Sequence, residues 1–339
     1  MPPLLSVVVP MFDVEPYISS CIESLLGQRL LNIEIIVIDD GSTDGSRVLA
    51  DQWARKDSRV RVTGQPNAGL SAARNAGVRA ARGKYLSFCD SDDVVPVTGY
   101  ASLVGSLEDT GSDIATGDVR RLDTTGVRPH PGYRDVFARD RRRTHIRHHT
   151  ALVRDRMVWN KVFRRSFWDA CGLAFALPAY EDAPVMIRAH IEAAAVDVLS
   201  EVVYFWRIRE QGPPSITQRR HEPANIAACM RMVLDTFDVI TTLAPELVPP
   251  YVDDMCRGDI RQALRMLHLH DDDALSDALT LARSFIGSIP DDVLRALPTT
   301  DRQLAALLVQ GDLAQIRRLV EKPIQAMERV WDGRGGVGN

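Results

Sequence analysis

The sequence is poor in the features that mark secreted, membrane-spanning and nucleic-acid-binding proteins. Its five cysteines lie scattered without paired spacing, which argues against a disulfide framework and against a zinc site. No apolar run approaches the ~18 residues of a membrane span, and residues 1–10 lack the pattern of a signal peptide. A formal net charge of −4 gives no reason to expect a nucleic-acid partner. These absences predict a cytoplasmic protein with reduced thiols.

Apolar strands and amphipathic helices alternate along the N-terminal part of the chain. Continuous β-branched runs, as in residues 5–9, predict buried strands, and apolar residues spaced along one helical face predict the helices between them. Alternation at this pace predicts right-handed βαβ units and a parallel sheet covered on both faces. The predicted strands are 5–9, 33–38, 60–62, one from Tyr85, 113–117 and 202–206, and the predicted helices are 15–26, 46–54, 71–81 and 100–107.

Carboxylates and turn residues cluster where these predicted strands end. Residues 90–93 and 39–40 supply the carboxylates, and residues 10–13 follow the first strand. Clustered like charges cost free energy unless a cation lies between them, and oxygen-rich clusters suit Mg²⁺ or Mn²⁺ held together with a phosphate. Taken alone, Asp90-Ser91-Asp92 could equally be a solvated acidic turn. Because ligands bind beyond the carboxyl ends of strands in open α/β sheets, the three segments together predict one ligand site.

Four motifs follow one another in order: Ser6–Pro10, Ile36–Asp44, Asn67–Gly77 and Asp90–Asp93. In this order they resemble the family 2 glycosyltransferases, which are inverting enzymes of the GT-A fold that use nucleotide-diphosphate sugars and a divalent metal. The resemblance implies an α/β, Rossmann-like nucleotide-sugar-binding domain. Met11-Phe12-Asp13 departs from the family's usual aromatic-asparagine pair.

The resemblance also implies roles for individual residues. Asp39 and Asp40 are expected beside a uracil-type base and its ribose, and Asp90 at the ribose. Asp92 is expected to bind Mn²⁺ or Mg²⁺ bridging the diphosphate, where a Lewis acid neutralises charge on the leaving nucleotide. The other residues implied at the donor are Pro10, Phe12, Asn67, Arg74, Ser91, Asp93, Arg207 and Arg209, and His221 is a further candidate metal ligand.

Some of these residues have a structural alternative. Asp93 could instead cap the following helix, and Arg74 could be an exposed helix arginine. Arg207 and Arg209 precede a Gly-Pro-Pro loop that resembles the segment closing over the donor in this family.

A Glu181-Asp182 pair opens a predicted helix and matches the family's Glu-Asp element. An inverting transfer needs one base to take the proton of the attacking hydroxyl. Asp182 is predicted to be that base and Glu181 is the alternative, although two acids could also simply serve the helix dipole. Upstream, Lys161 and Arg164 are candidate phosphate or acceptor contacts, with structural packing as their alternative.

Two further segments have less specific patterns. Residues 139–149 are the most basic run, which predicts a solvated loop or an electropositive rim for an anionic acceptor.

From Pro223 onward the strand signals vanish and no catalytic motif appears. The helices predicted there are 224–243, 252–269, 273–286, 291–297, 300–310 and 313–330. The chain is therefore expected to comprise a GT-A catalytic domain (1–222), a helical appendage (223–331) and a disordered tail (332–339).

The Trp-Asn-Lys, Tyr-Glu-Asp and Trp-Arg-x-Arg segments look most similar to enzymes acting on polyol-phosphate cell-wall polymers such as teichoic acids. The resemblance therefore implies metal-dependent hexosyl or N-acetylhexosaminyl transfer from a UDP-linked sugar to a glycopolymer or lipid-linked acceptor. Peripheral association with the inner face of the cell membrane and a homo-oligomer through the helical region are left open. The alternatives are a haloacid-dehalogenase-like phosphatase, which normally carries its Asp-x-Asp motif on the first strand, and a catalytically silent nucleotide-sugar-binding scaffold.

Overall fold

A nine-stranded mixed sheet is the centre of the first of two units into which the chain divides between Pro214 and Ser215. The computed structural model describes residues 2–320. The spatial order is β3-β2-β1-β4-β8-β5-β9-β7, with β6 paired to β5. The strands are β1 (Leu5–Met11), β2 (Ile33–Asp39), β3 (Val60–Gly64), β4 (Tyr85–Phe88), β5 (Ile114–Asp123), β6 (Gly126–Pro129), β7 (Arg141–Thr144), β8 (Lys161–Arg164) and β9 (Val196–Arg207).

The first four strands pair in parallel and are linked by helices, as the alternating pattern predicts. Every residue of β1 and β2 is buried, because helices cover both faces of a parallel sheet. The helices of this unit are α1 (Glu15–Leu26), α2 (Ser46–Lys56), α3 (Leu70–Ala80), α4 (Gly99–Thr110), α5 (Arg165–Ala170) and α6 (Asp182–Glu192). The predicted α/β architecture is confirmed.

A glycine brings α3 against the centre of the sheet. A Cβ atom at Gly77 would lie 2.2 Å from Cγ1 of Val8 in β1, so only a glycine allows this approach. The close packing fixes where the other residues of α3 lie relative to the strand ends.

The second half of the sheet departs from the predicted pattern. Residues 141–144 of the basic run form an edge strand, β7, instead of a loop. Charged side chains suit such an edge because they stay solvated and discourage pairing with another chain. The strand predicted at 202–206 begins at Val196, because β9 pairs with β5 along most of its length despite a bulge near Gly117.

The second unit is helical over its described part, which confirms the predicted helical region. The predicted helix 252–269 is interrupted by a π-helical turn at Cys256–Ile260, where Gly258 weakens the helix interior. The predicted tail, and the predicted helix beyond residue 320, lie outside the described residues. The helices are α7 (Pro223–Leu243), α8 (Val248–Met255), α9 (Arg261–Arg265), α10 (Ser276–Ser288), α11 (Asp291–Ala296), α12 (Thr299–Gln310) and α13 (Leu313–Leu319).

Between residues 2 and 320, the structure contains no helix whose length and apolar character would suffice to cross a membrane.

Candidate functional site

The acidic segments predicted to converge lie at the same edge of the sheet. Register pairs Met11 with Asp39 at the ends of β1 and β2, and Val8 with Phe88 at the end of β4. Because all three strands run parallel, residues 39–40 and 90–93 emerge side by side at their carboxyl ends. Pro10 lies buried within β1, and Phe12, just beyond it, is 45% exposed.

Asp40 organises the loop that leads into α3. Its carboxylate accepts hydrogen bonds from the backbone amides of Ala68 (2.9 Å) and Gly69 (2.8 Å) and from Nε2 of Gln65 (2.7 Å). Both oxygens thus accept hydrogen bonds from the protein and fix the loop, and the contact of Asp40 with a nucleotide stays a prediction. Asn67, within the same loop, is exposed.

Asp39 keeps a freer carboxylate. It accepts from the amide of Ser42 at 3.0 Å and lies 3.5 Å from a guanidinium nitrogen of Arg47. The contact of Asp39 with a ring N–H of the base likewise stays a prediction.

Arg74 joins two parts of the site that are distant in sequence. Its guanidinium donates to Asp90 at 2.7 Å and to Glu181, and it lies 5.5 Å from the ring centre of Phe175. The side chain is only 2% exposed, so it is not the exposed helix arginine that the sequence also allowed. Nearby carboxylates raise its pKa despite burial, which keeps it charged. Arg74 therefore holds the acidic segment after β4 against the start of α6.

Glu181 and Asp182 open α6 and are both buried. Burial raises the pKa of Glu181 to about 7, with Arg74 opposing the shift and Asp182 adding to it. Burial also raises the pKa of Asp182, opposed by Arg74 and Lys161. A carboxylate with a raised pKa that is still ionised at neutral pH is a stronger base than a solvated one. Tyr180, directly before the pair, has a φ of +54°, a strained conformation of the kind that clusters at functional sites.

Asp92 and Asp93 face different partners. Nε of Arg209 lies 2.6 Å from a carboxylate oxygen of Asp92, and Nε of Arg207 donates to its backbone oxygen at 2.6 Å. Asp93 accepts from the hydroxyl of Tyr204 and from the amide of Arg207, both at 2.7 Å, so it fastens β9 to this edge. Burial and the neighbouring acids raise the pKa of Asp93 well above its usual range.

Asp93 does not cap the following helix, whose N-cap is Thr98, and its contact with the sugar stays a prediction. Ser91, between Asp90 and Asp92, is buried.

Tyr204 is a residue of the site that sequence reasoning missed. Its hydroxyl accepts from the amide of Asp90 at 3.1 Å, and its ring stacks on Trp159 with centroids 4.3 Å apart. The apolar pattern around Tyr204 predicts a strand but not these contacts, because a local pattern does not show which other strand lies beside a side chain.

Lys161 and Arg164 are both held by contacts within the protein. Lys161 is fully buried, and its amino group donates to three interior oxygens. Arg164 is paired in register with Tyr85, at the amino end of β4 and thus at the opposite edge from the acidic segments. It donates to the backbone oxygens of Ser112 (2.7 Å) and Leu107. The predicted acceptor contacts do not fit either placement, whereas the structural alternative does.

The carboxylate oxygens at this edge of the sheet suit a hard divalent metal ion that also binds a phosphate. No group of three or more His, Cys, Asp or Glu within residues 2–320 is arranged as a complete metal site. Mg²⁺ commonly takes one or two carboxylates and completes its shell with phosphate and water, and Asp92 supplies such a carboxylate. His221 is an exposed residue of the second unit, and its role as a ligand stays a prediction.

Comparison with known proteins identifies the family of this domain. Residues 6–171 match the family model described as glycosyl transferase family 2. The chain carries a family 2 glycosyltransferase domain. EpsJ of Bacillus subtilis, described as an uncharacterized glycosyltransferase, is 36% identical over 229 residues, which are 66% of this chain and 66% of EpsJ. GgaB of the same organism, a minor teichoic acid biosynthesis protein, is 24% identical over 306 residues, covering 85% of this chain and 33% of GgaB.

The fold of the family 2 domain has solved counterparts. The crystal structure of S. aureus TarS 1–349 in complex with UDP superposes with a TM-score of 0.76 at 17% identity, covering 96% of this chain and 91% of that one. This likeness shows a shared fold. The chain covers less than the full length of its relatives EpsJ and GgaB, with 66% and 33% of their lengths matched.

Proposed function

We propose that this chain transfers a sugar from a UDP-linked donor to a hydroxyl group of a polyol-phosphate surface polymer, with inversion at the anomeric carbon. The relative GgaB is named for teichoic acid biosynthesis, and the structural counterpart TarS was crystallised with UDP. Both facts support the choice of donor and acceptor.

The observation that carries the proposal is the Arg74 bridge. Arg74 connects Asp90, at the carboxyl end of the sheet where a nucleotide is expected, with Glu181, which precedes the candidate base Asp182. A transferase must hold a leaving group and a base at one reaction centre, because proximity and orientation supply much of the rate enhancement. A buried ion pair spanning the two elements provides that alignment.

In the proposed reaction, Asp182 accepts the proton of the acceptor hydroxyl as its oxygen forms a bond to the anomeric carbon. The bond from that carbon to the diphosphate oxygen breaks on the opposite face, and UDP leaves. Asp39 accepts from the base, while Arg207 and Arg209 face the diphosphate side of the site. The loop 208–214 would exclude water and so limit hydrolysis of the donor.

A divalent ion, Mn²⁺ or Mg²⁺, fits as the cofactor of this site. Asp92 would hold it, and the ion would neutralise negative charge on the diphosphate. The carboxylate of Asp92 already lies against a cation, the guanidinium of Arg209, which shows that this position favours positive charge.

The two alternatives have weaker support. A haloacid-dehalogenase-like phosphatase normally carries its Asp-x-Asp motif, with a nucleophilic aspartate, on the first strand. Here β1 contains no aspartate, so that motif is missing from its expected place. A silent scaffold would not need the buried acids Glu181 and Asp182, whose burial costs free energy.

The test is binding followed by transfer. UDP should bind in titration calorimetry with an affinity that rises with Mn²⁺ and exceeds that of GDP. Synthetic ribitol-phosphate and glycerol-phosphate oligomers would then be incubated with a panel of UDP-sugars, with products identified by mass and anomeric configuration by NMR. Absence of UDP binding, or a product of retained configuration, would contradict the proposal. Binding and donor hydrolysis without transfer to either oligomer would overturn the acceptor assignment alone.

A further inference from the structure

A tyrosine of α1 contacts the loop that follows β9. Tyr17 is 8% exposed, and its hydroxyl donates to the backbone oxygen of Gln211 at 2.8 Å. The hydroxyl oxygen also accepts from the backbone amides of Glu210 at 3.0 Å and Gln211 at 2.8 Å. A single side chain of α1 therefore holds the backbone of two adjacent loop residues, and the reaction described above makes no use of it.

The ring of Tyr17 makes a further contact at the same place. The guanidinium of Arg207 lies 5.5 Å from the ring centre, which is within the range of a cation–π attraction. Arg207 also donates to the backbone oxygen of Asp92 at 2.6 Å and to the hydroxyl of Ser20 at 3.1 Å. Tyr17 and Ser20 both belong to α1, where residues three apart share a face. This face of α1 therefore contacts both Arg207 and the loop that follows it.

These contacts limit where the side chain of Arg209 can lie. Arg209 directly precedes Glu210, whose backbone amide Tyr17 holds. From this position, Nε of Arg209 lies 2.6 Å from a carboxylate oxygen of Asp92, and Nη1 donates to the backbone oxygen of Pro213 at 3.1 Å. Asp92 is the acid expected to hold the divalent ion. The loop therefore places a cation of the protein itself on that carboxylate.

A second contact of the loop lies in solvent. The carboxylate of Glu210 accepts from the hydroxyl of Thr124 at 2.9 Å, but both residues are exposed, so water competes for this hydrogen bond. The contact of Tyr17 with Gln211 is partly buried, and a hydrogen bond is stronger where less water surrounds it. Tyr17 is therefore expected to contribute more than Thr124 to holding the loop.

We propose that Tyr17 is a positioning residue that holds the loop 208–214 against α1 and so keeps Arg209 on the carboxylate of Asp92 until a divalent ion displaces it. This proposal deepens the proposed function and rests on its metal assignment. The guanidinium and the ion repel each other and need the same carboxylate, so they compete for Asp92. The apparent affinity for the ion then falls as the fraction of molecules with Arg209 on Asp92 rises.

The test is the binding of Mn²⁺ alone to the full chain without nucleotide, followed by the electron paramagnetic resonance signal of the free ion. Tyr17→Phe removes the hydroxyl that holds the loop but keeps the ring that Arg207 contacts. We expect this variant to bind Mn²⁺ about 2–10-fold more tightly than wild type, which corresponds to the net contribution of one hydrogen bond. Hydrogen exchange at the amides of Glu210 and Gln211 should be faster in this variant.

A double-mutant cycle shows whether Tyr17 acts through Arg209. Arg209→Met should tighten Mn²⁺ binding by itself, and adding Tyr17→Phe to that variant should change the affinity no further. Tyr85→Phe is the matched control, because it removes a hydroxyl that accepts from Arg164 at 3.2 Å at the opposite edge of the sheet. Its Mn²⁺ affinity and its loop exchange should match wild type.

A second variant changes the same contact from the exposed side. Gln211→Pro deletes one of the amides that donate to the hydroxyl, at an exposed loop position where the core is not disturbed, and should also tighten Mn²⁺ binding. Wild-type Mn²⁺ affinity in a folded variant of either kind would overturn the proposal. An equal gain from Tyr17→Phe with and without Arg209 would also overturn it.

The experiment separates this proposal from the proposed function. Absence of Mn²⁺ binding in wild type and in every variant would overturn both the role of Tyr17 and the metal assignment. The expected pattern of Mn²⁺ affinities in a chain that transfers no sugar would support the role of Tyr17 and count against the proposed function alone.

Discussion

Arg209 and Asp92 form an ion pair in which Nε lies 2.6 Å from the carboxylate. A side chain from the loop after β9 therefore neutralises the acid that we expect to bind the divalent ion. Any cation that reaches Asp92 must compete with this guanidinium, and the competition gives a direct test of the metal assignment.

Asp92→Asn should abolish most of the Mn²⁺-dependent part of UDP binding, because it removes one anionic ligand. Titration calorimetry with and without a chelator measures this difference. Asp109→Asn removes an acid that is 65% exposed at its side chain and pairs loosely with Arg142, so it serves as the control and should bind as wild type. Arg209→Met should act in the opposite sense and strengthen binding of Mn²⁺ alone. Unchanged Mn²⁺ dependence in Asp92→Asn would show that this residue is not the ligand.

Asp182→Asn should lower turnover by the ~10²–10⁴-fold expected for loss of a general base. The protein should stay folded and bind UDP as before, because the donor contacts lie on other elements. Glu181→Gln should be milder, since Glu181 is engaged with Arg74. Steady-state transfer assays show which of the two variants loses more turnover. An inactive Glu181→Gln beside an active Asp182→Asn would reverse the assignment of the base.

Glu181 should make the protein less stable as the pH rises from about 4.5 to 7. Its pKa rises from 4.5 in the unfolded chain to about 7 in the folded one. A group with a raised pKa contributes stability below its unfolded value and loses it as the pH passes its folded value. Glu181→Gln should therefore flatten the fall in the free energy of unfolding across this window, measured by urea denaturation at several pH values.

The control for this slope is Glu108→Gln. Glu108 is exposed, and its pKa is lowered by Lys84, so its titration falls below the window and its removal should leave the slope unchanged. An equal flattening in both variants would contradict the role of Glu181.

Gly77→Ala should destabilise the first unit, because its new Cβ would lie 2.2 Å from Val8 and force β1 and α3 apart. Overpacking of this kind costs about 1–3 kcal/mol. Gly105→Ala is the matched control: it is also a helix glycine, but its Cβ would meet nothing within 4 Å. That variant should gain about 0.5–1 kcal/mol from lower chain entropy. Thermal melts of the two variants should move in opposite directions, and equal shifts would argue against close packing at Gly77.

The sequence by itself determined the elements of the parallel half-sheet and the edge at which its acids meet. Helix α1 begins and ends at the predicted residues, Glu15 and Leu26. This works because apolar periodicity is a local property, and because parallel strands joined by helices must place their carboxyl ends together. The acids of residues 39–40 and 90–93 could therefore be brought to one site without any coordinates.

Only the tertiary structure decided which of these side chains face the ligand side and which hold the protein together. Arg74 meets Glu181 across 107 residues of sequence, and Asp93 accepts a hydrogen bond from Tyr204, 111 residues further along the chain. Lys161 appears in a polar-looking motif, yet β8 lies between β4 and β5 in the middle of the sheet, where the ammonium is enclosed. Local pattern fixes the direction of a side chain relative to its own strand, whereas long-range pairing fixes what that side chain meets.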